Sequence, residues 1–323
     1  VPAALMGVLE GIELDGTLRW AMDLDVPLEA VGRSWWSSEI DVADFAVRVI
    51  PAGANPYLLD DEFVYTIRDE AVGYERTVRI PPARLPSLEW TVRHSEHSPR
   101  RVLAWREEDA RIAAEVSADP PRVIAGGRGR ADADGDDARD GYPRQAAVRP
   151  GSEPSARVDP TYRYVRLEEM SPWVVSAVLT AEDGDFFFHD GVSFVTLPRA
   201  LERNLAAGEI QFGASTIPMQ LAKLFFLDAE RLVSRKLQEV FLVYLMEHAV
   251  PVAKERLLEL YVNIAEFGPR VFGIADAARY YFGADPADLN AGEATWLASI
   301  LPSPKRYHQY YEAGEISDGW FSR

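Results

Sequence analysis

Thr180-Ala-Glu-Asp-Gly-Asp-Phe-Phe-Phe-His-Asp-Gly191 marks the point where an apolar segment of the chain gives way to a polar turn. Apolar residues recur at helical spacing from Val174 onward, and Gly184 predicts the end of that helix. Glu182 and Asp183 are therefore expected at the rim of a packed element, where partial desolvation suits a carboxyl group for acid or base chemistry. An isolated acidic pair is more often a solvated turn, so the assignment depends on the surrounding chain.

The composition limits the class of protein. The chain has 323 residues, of which 47% are hydrophobic and 26% charged, enough for at least one full core and typical of two domains. Its formal net charge of −17 argues against a nucleic-acid binder, because phosphate contacts need a basic surface. With no cysteine, disulfides and thiolate metal sites are excluded, and the five histidines include no HExxH zinc spacing.

The sequence also bears on membrane attachment. No run reaches the eighteen or so apolar residues that predict a spanning helix. The chain opens Val-Pro-Ala-Ala-Leu-Met, without an initiator methionine or a charged signal segment. We therefore expect a piece of a longer protein whose membrane anchor lies outside it.

Hydrophobic periodicity predicts an α+β multidomain chain with three regions. Residues 1–110 alternate apolar and polar positions between turn residues, which predicts a β-rich domain of antiparallel strands, its role unknown. Residues 111–159 include a charged, glycine-rich stretch with almost no large apolar side chain, which predicts a flexible linker. Residues 160–315 read as consecutive helices, an all-α domain. The predicted strands are Ile12–Trp20, Asp41–Val49, Glu62–Arg68 and Tyr74–Ile80.

Capping residues predict where the helices begin and end. Ser171, Ser215 and Ser234 are expected as N-caps, Gly283 as a C-terminal stop, and Asn290 with Glu293 as a capping box. The predicted helices are Pro172–Glu182, Pro198–Ala207, Thr216–Phe226, Arg235–Glu247, Lys254–Asn263, Ile274–Phe282 and a last helix stopped by Pro302.

Glu239 is a second candidate carboxylate, because it lies on the most apolar predicted helix. A buried acid without a partner would be costly there, and Arg235 at i−4 and Lys236 at i−3 can share its face. When these three residues are taken alone, a structural ion pair is the better explanation. With Glu182 added, two glutamates in separate environments can act as a base and as an electrostatic partner. With Lys223 added, the clustered cations can bind a pyrophosphate leaving group.

The segment Gly213–Lys223 predicts an anion site at a helix N-terminus. A glycine turn leads to Ser215 and Thr216, and Gln220 and Lys223 follow at i+4 and i+7 from Thr216 on the same face. A capped helix start is common, so this pattern is weakly specific by itself.

Five ordered motifs between about residues 162 and 310 resemble the glycosyltransferase family 51 domain, the peptidoglycan transglycosylase of penicillin-binding proteins and of monofunctional transglycosylases. The motif residues are Glu182, Asp183, Phe186, His189 and Gly191 for ED-xx-F-xx-H-x-G; Gly213, Ser215, Thr216, Ile217, Gln220 and Lys223 for G-x-STI-xx-Q-xx-K; Arg235, Lys236 and Glu239 for RK-xx-E; then Lys254–Asn263, and Ile264–Gly268 with Val271–Ile274.

The resemblance implies a lysozyme-like fold for residues 160–315 and an inverting transfer that polymerises lipid II. It implies that Glu182 is the general base for the acceptor sugar's 4-hydroxyl and that Glu239 helps stabilise the departing undecaprenyl pyrophosphate, alone or through a divalent cation (Mg or Mn). No cofactor is otherwise required. Substrate binding is implied for Asp183, Phe186, Ser215, Thr216, Gln220, Lys223, Arg235 and Lys236, and a structural role for His189, Gly191, Gly213 and Asn263.

The implied partners are lipid II, the growing glycan strand, the membrane surface and other cell-wall synthesis proteins, at the extracytoplasmic face of the bacterial cytoplasmic membrane. The sequence departs from the family pattern at Leu224, where asparagine is usual, and at Met219, where glutamine is common. Two alternatives stay open: a lysozyme-like glycan hydrolase, which also uses two carboxylates but does not need the cations, and a non-catalytic scaffold that binds the lipid-linked precursor.

Overall fold

The computed structural model describes residues 7–17, 19–25, 35–41, 45–69, 73–95, 99–124, 147–148, 158–193, 215–227 and 233–314. The residues described by their backbone alone are 20, 22, 24–25, 35–41, 99, 109, 116, 123–124, 147–148 and 233–237. The predicted helix Pro198–Ala207 and Gly213 lie outside the described residues, as does most of the predicted linker.

The chain contains both short strands and helices. The strands are β1 (Glu13–Asp15), β2 (Arg19–Asp25), β3 (Trp35–Asp41), β4 (Ala46–Pro51), β5 (Phe63–Asp69), β6 (Tyr74–Ile80), β7 (Arg122–Ile124), β8 (Ala147–Val148), β9 (Glu266–Gly268) and β10 (Val271–Phe272). The helices are α1 (Leu88–His94), α2 (Pro99–Ala118), α3 (Pro172–Glu182), α4 (Ile217–Phe226), α5 (Val233–Tyr244), α6 (Lys254–Ile264), α7 (Ile274–Phe282), α8 (Ala291–Ile300) and α9 (Pro304–Ala313). These elements confirm the α+β class.

The chain divides into two compact units. The first comprises residues 1–56, 107–130 and 185–251, and the second comprises residues 57–106, 131–184 and 252–323. Each unit therefore combines part of the predicted β-rich region with part of the predicted helical region. The domain boundaries at residues 110 and 160 stay a prediction. Between them, the described residues include the end of α2 and strands β7 and β8.

The first unit contains two small sheets beside its helices. In one sheet β4 lies between β1, with which it pairs antiparallel, and β7, with which it pairs parallel. In the other, β2 and β3 pair antiparallel from Arg19 opposite Asp41 to Asp25 opposite Trp35. Helix α5 continues into a π-helical turn at Leu245–Ala249.

The second unit contains an antiparallel pair, β5 and β6, which runs from Phe63 opposite Ile80 to Asp69 opposite Tyr74. Helix α6 is the centre of its core, because every side chain from Lys254 to Ile264 is buried. Helix α3 packs against α8, and α7 and α9 pack against the hairpin of β9 and β10. No helix in the described ranges is long and apolar enough to cross a bilayer.

The hairpin of β9 and β10 corrects the all-α expectation for residues 160–315. The chain reverses through Arg270, a non-glycine residue with a φ of 64°. Periodicity could not reveal strands of three and two residues, because such segments are too short to show alternation.

Most of the predicted helix ends are confirmed, and the positions of two predicted N-caps are corrected. Helix α3 ends at Glu182, Gly283 closes α7 in the left-handed conformation, and Asn290 and Glu293 form the expected capping box. The N-cap of α4 is Thr216 rather than Ser215, because the Thr216 hydroxyl accepts the Met219 N–H at 3.3 Å. Helix α5 begins at Val233, so Ser234 lies within its first turn.

Candidate active site

Glu182 is the last residue of α3, in the second unit. The helix begins at Pro172, whose fixed φ suits a first turn, and it buries Val174, Val178 and Leu179. Before it, the Ser171 hydroxyl donates to the Leu289 carbonyl at 2.6 Å instead of capping the helix. Packing therefore fixes the helix axis and, with it, the position of its acidic end.

Tyr261 contacts this acid directly. The Tyr261 hydroxyl, on the buried helix α6, donates to Oε2 of Glu182 at 3.3 Å, and the Glu182 side chain is half-buried. Asp183 is buried, and its backbone N–H donates to the Leu179 carbonyl at 2.9 Å. Glu182 is thus the accessible member of the pair, and Tyr261 restrains it.

Helix α6 is anchored by ionic contacts that sequence analysis missed. Oε1 of Glu255 accepts hydrogen bonds from the Thr91 hydroxyl, at 2.5 Å, and from Arg106. Arg256, 1% exposed, donates to the carbonyls of Leu59 at 2.6 Å and Pro81 at 2.7 Å. Residues 59–106 thereby hold the helix that presents Tyr261.

Glu259 completes this network on the next turn of α6. Its carboxylate accepts hydrogen bonds from the Tyr164 hydroxyl and Arg166, both at 2.9 Å, from Arg256 at 3.1 Å and from the Leu167 N–H at 3.2 Å. Burial raises the pKa of the Tyr164 phenol, and the Glu259 charge adds to the effect, so that this hydroxyl stays a donor. A buried acid with four donors fits a structural role.

Asn263, near the end of α6, bonds to the segment that precedes α3. Its side-chain amide donates to the carbonyls of Val165 and Glu259, both at 2.8 Å, and accepts the Val165 N–H at 2.8 Å. Its own carbonyl accepts the Tyr162 hydroxyl at 2.9 Å. These bonds fix residues 162–165 against α6.

In the first unit, Gly191 joins two of the sequence motifs. Its φ is +79°, and an added Cβ would lie 2.1 Å from Cγ1 of Val243 and 2.9 Å from Cγ of Glu247. The Gly191 carbonyl accepts a hydrogen bond from the Thr216 hydroxyl. Close approach to α5 therefore requires glycine here, and Thr216, 2% exposed, connects this turn to the start of α4.

The aromatic residues before Gly191 pack inward. Phe186 is 1% exposed, and its ring lies edge-on to Phe187 at 5.1 Å and to His189 at 6.3 Å. Phe186 therefore belongs to the core of its unit, and His189, half-buried, packs beside it.

Helix α4 presents the polar residues of the second motif. Ser215 and Lys223 are exposed and Gln220 is half-exposed. The buried residues of this helix include Ile217, Met219, Leu221 and Phe225. The Gln220 N–H bonds back to the Thr216 carbonyl at 3.0 Å, as helix geometry requires. Lys223 is thus an accessible cation on a helix held rigid by its apolar side.

Helix α5 carries the third motif. Arg235 and Lys236 lie in its first turn, where the backbone alone is described, and the side chain of Glu239 is 5% exposed. Phe45, from the N-terminal region, packs edge-on against Phe241 at 6.5 Å and Tyr244 at 5.4 Å. The N-terminal region therefore holds α5 in the first unit as it holds α6 in the second.

The sequence leaves a divalent cation near Glu239 open. Among the side chains that the structure describes, no group of three or more histidine, cysteine, aspartate or glutamate residues could hold a metal ion. A divalent cation near Glu239 therefore stays a prediction.

The described candidate residues are distributed over both units. The second unit contains Glu182, Asp183 and Asn263. The first unit contains Phe186, His189, Gly191, Ser215, Thr216, Gln220, Lys223, Arg235, Lys236 and Glu239. Tyr261, missed by sequence analysis, had a signal, since it lies two residues before Asn263 within the fourth motif.

The structure thus places the acidic Glu182 at the end of α3, Lys223 on α4, and Arg235, Lys236 and Glu239 on α5. The sequence model of the transglycosylase family matches residues 153–320, just over half of the 323 residues, and the chain belongs to this family.

Relatives carry the name biosynthetic peptidoglycan transglycosylase. The protein of that name from Bordetella pertussis is 41% identical over 160 residues, 48% of this chain and 65% of the relative. Those from Nitrosospira multiformis and Herminiimonas arsenicoxydans are 39% and 37% identical over 147 and 164 residues, covering 46% and 51% of this chain. The match spans 63% and 69% of their lengths.

Proposed function

We propose that the protein is a peptidoglycan glycosyltransferase that polymerises lipid II into glycan strands and releases undecaprenyl pyrophosphate. The observation that carries this proposal is Glu182, a half-buried carboxylate at the end of α3 that accepts a hydrogen bond from Tyr261. Membership of the transglycosylase family supports it.

In this mechanism Glu182 is the general base. Its carboxylate takes the proton from the 4-hydroxyl of the acceptor sugar as that oxygen attacks the anomeric carbon of the donor. The bond from the anomeric carbon to the pyrophosphate oxygen breaks with its electrons, so the configuration inverts. Tyr261 orients the carboxylate and favours its ionised form, the form that accepts the proton.

The leaving group needs positive charge on the other side of the anomeric carbon. Lys223, Arg235 and Lys236 would bind the pyrophosphate oxygens, on which negative charge increases in the transition state. Glu239 would orient these cations, and Ser215 and Gln220 would shape the same pocket. Thr216 would help shape this pocket by holding the start of α4 against the turn at Gly191, through the hydrogen bond from its hydroxyl to the Gly191 carbonyl.

Lipid II and the growing strand would meet the protein at the extracytoplasmic face of the cytoplasmic membrane. A lipid-linked substrate requires a site close to the bilayer surface, since its carrier stays in the hydrocarbon. A membrane anchor outside these residues, and contacts with other cell-wall synthesis proteins, belong to the same proposal.

Incubation of the purified chain with lipid II tests the function. We expect glycan strands and undecaprenyl pyrophosphate, both strongly reduced in Glu239→Gln. Finished glycan strands supplied instead of lipid II should stay intact. Hydrolysis of those strands without polymerisation would favour the hydrolase, and lipid II binding without either reaction would favour the scaffold.

A further inference from the structure

Two tyrosine rings form an exposed aromatic surface on the second unit. Tyr280, on α7, is 48% exposed, and Tyr311, on α9, is 42% exposed. Their ring centroids lie 6.0 Å apart, with an angle of 46° between the ring planes. The exposed part of an aromatic ring adds nothing to the stability of the core. Two such rings side by side therefore suggest a binding role.

Buried and half-buried neighbours hold this pair in place. Tyr281 packs perpendicular to Tyr311 at 4.8 Å and edge-on to Trp296 at 4.5 Å. The Tyr281 hydroxyl donates to the Phe267 carbonyl at 2.7 Å and lies 2.8 Å from Nδ1 of His308. The Tyr311 hydroxyl donates to the Tyr281 carbonyl at 3.3 Å. The surface is therefore organised before any ligand arrives, which lowers the entropic cost of binding.

The chemistry of this surface suits a sugar ring. The axial C–H groups of a pyranose form an apolar face that stacks on an aromatic ring, while its hydroxyl and acetamido groups need hydrogen-bonding partners at the edge. Arg279, Gln309 and Glu312 are exposed on the same two helices and can supply them.

Other occupants fit less well. Helices α7 and α9 carry no exposed large aliphatic side chain, and such side chains are the usual means of entering a bilayer or an apolar protein interface. The exposed carboxylate of Glu312 and the net charge of −17 also disfavour an anionic lipid surface.

The surface belongs to the same compact unit as Glu182. Trp296, which supports Tyr281, lies on α8, and α8 packs against α3, the helix that ends at Glu182. We propose that Tyr280 and Tyr311 form a stacking subsite for a sugar ring of the glycan strand. The identity of the strand rests on the proposed function, whereas the affinity for sugar rests on the aromatic geometry alone.

Calorimetric titration of the full chain with the β-1,4-linked tetramer of N-acetylglucosamine tests the subsite. The double variant Tyr280→Ala with Tyr311→Ala should bind the tetramer about tenfold more weakly, the loss expected for one stacked ring. Tyr280→Phe keeps the ring and should bind as the wild type does. The matched control is Leu85→Ala with Leu103→Ala, which removes two exposed apolar side chains elsewhere in the unit and should leave affinity unchanged.

Equal affinity of the double variant and the wild type would overturn the subsite, as would absence of tetramer binding by the wild type. A loss of vesicle binding instead of tetramer binding in the double variant would assign the surface to the membrane.

The lipid II assay separates failure of the subsite from failure of the proposed function. If the wild type polymerises lipid II while the double variant binds the tetramer normally, only the subsite fails. If the subsite is correct, the double variant should make shorter strands.

Discussion

At the scale of single residues, the hydroxyl of Tyr261 donates a hydrogen bond to the carboxylate of Glu182 and restrains it. The sequence predicted Glu182 as a base but assigned no role to Tyr261, because a hydrogen bond across 79 residues leaves no periodic signal. The acid itself was predictable, since its helix ends where apolar spacing stops.

Tyr261→Phe removes the hydroxyl that donates to Glu182 and keeps the aromatic ring. The carboxylate of Glu182 loses a donor that favours its ionised form, so the acid limb of the pH profile of kcat/KM should move to higher pH. Lipid II polymerisation measured from pH 4 to 8 shows the shift. A profile that falls uniformly at every pH would instead assign Tyr261 a structural role alone.

Gly191 shows why a motif can require glycine for steric reasons. Gly191→Ala places a methyl group 2.1 Å from Val243 at a φ of +79°, so the variant should lose about 3 kcal/mol or more of unfolding free energy. The control is Gly184→Ala, where an added Cβ meets nothing within 4 Å. Urea denaturation measures both, and equal stabilities would contradict the packing described here.

At the scale of elements, local signals predicted the helix ends well and failed where a distant partner intervened. Gly283 closes α7, and Asn290 and Glu293 form the capping box of α8, as predicted. Both signals depend only on residues within one helical turn. Ser171 occupies the N-cap position of α3, but its side chain does not cap the helix, because its hydroxyl bonds to Leu289, 118 residues away. The anchoring of α6 could not be predicted for the same reason, since its partners come from residues 59–106.

The contact between Arg106 and Glu255 should be costly to break. Glu255 has a side chain 2% exposed, so Arg106→Ala leaves a buried carboxylate without its cation and should cost about 3 kcal/mol. Arg111→Ala, which removes an exposed cation from the same helix, should cost less than about 0.5 kcal/mol. Adding Glu255→Gln to Arg106→Ala should restore part of the loss. Similar effects of Arg106→Ala and Arg111→Ala would remove the anchoring role.

Strand β6 is tied to α7 through Arg76, which contacts both Asp159 and Asp276. The hydroxyl and backbone N–H of Thr161, with Arg76, lower the pKa of Asp159 from 3.8 to about 2. Because the pKa is lower in the folded state, the charge stabilises the fold above about pH 4, and the effect disappears as the pH falls to about 2.

Asp159→Asn should therefore reduce the unfolding free energy at pH 7 by about 1 kcal/mol, a modest value because solvent screens this partly exposed group. At pH 2 the variant and the wild type should be equally stable. Urea denaturation at both pH values measures the difference, with the exposed Asp15→Asn as control. A difference that persists at pH 2 would show that the charge is not its source.

At the scale of the whole molecule, each compact unit combines N-terminal and transglycosylase residues. The sequence predicts a separate β-rich domain over residues 1–110, and this boundary stays a prediction. Contacts such as those from Phe45 to α5 and from Arg256 to Leu59 join segments about 200 residues apart. The family match was predictable, because its motifs are short, ordered and local.

The central claim is that Glu182 accepts the proton of the acceptor hydroxyl. The most direct measurement compares the initial rate of lipid II polymerisation for Glu182→Gln, the exposed control Glu89→Gln and the wild type, with thermal unfolding of all three. We expect a loss of at least about a hundredfold for Glu182→Gln alone, the usual contribution of a general base, with its unfolding temperature unchanged. Polymerisation by Glu182→Gln at the wild-type rate would contradict this account.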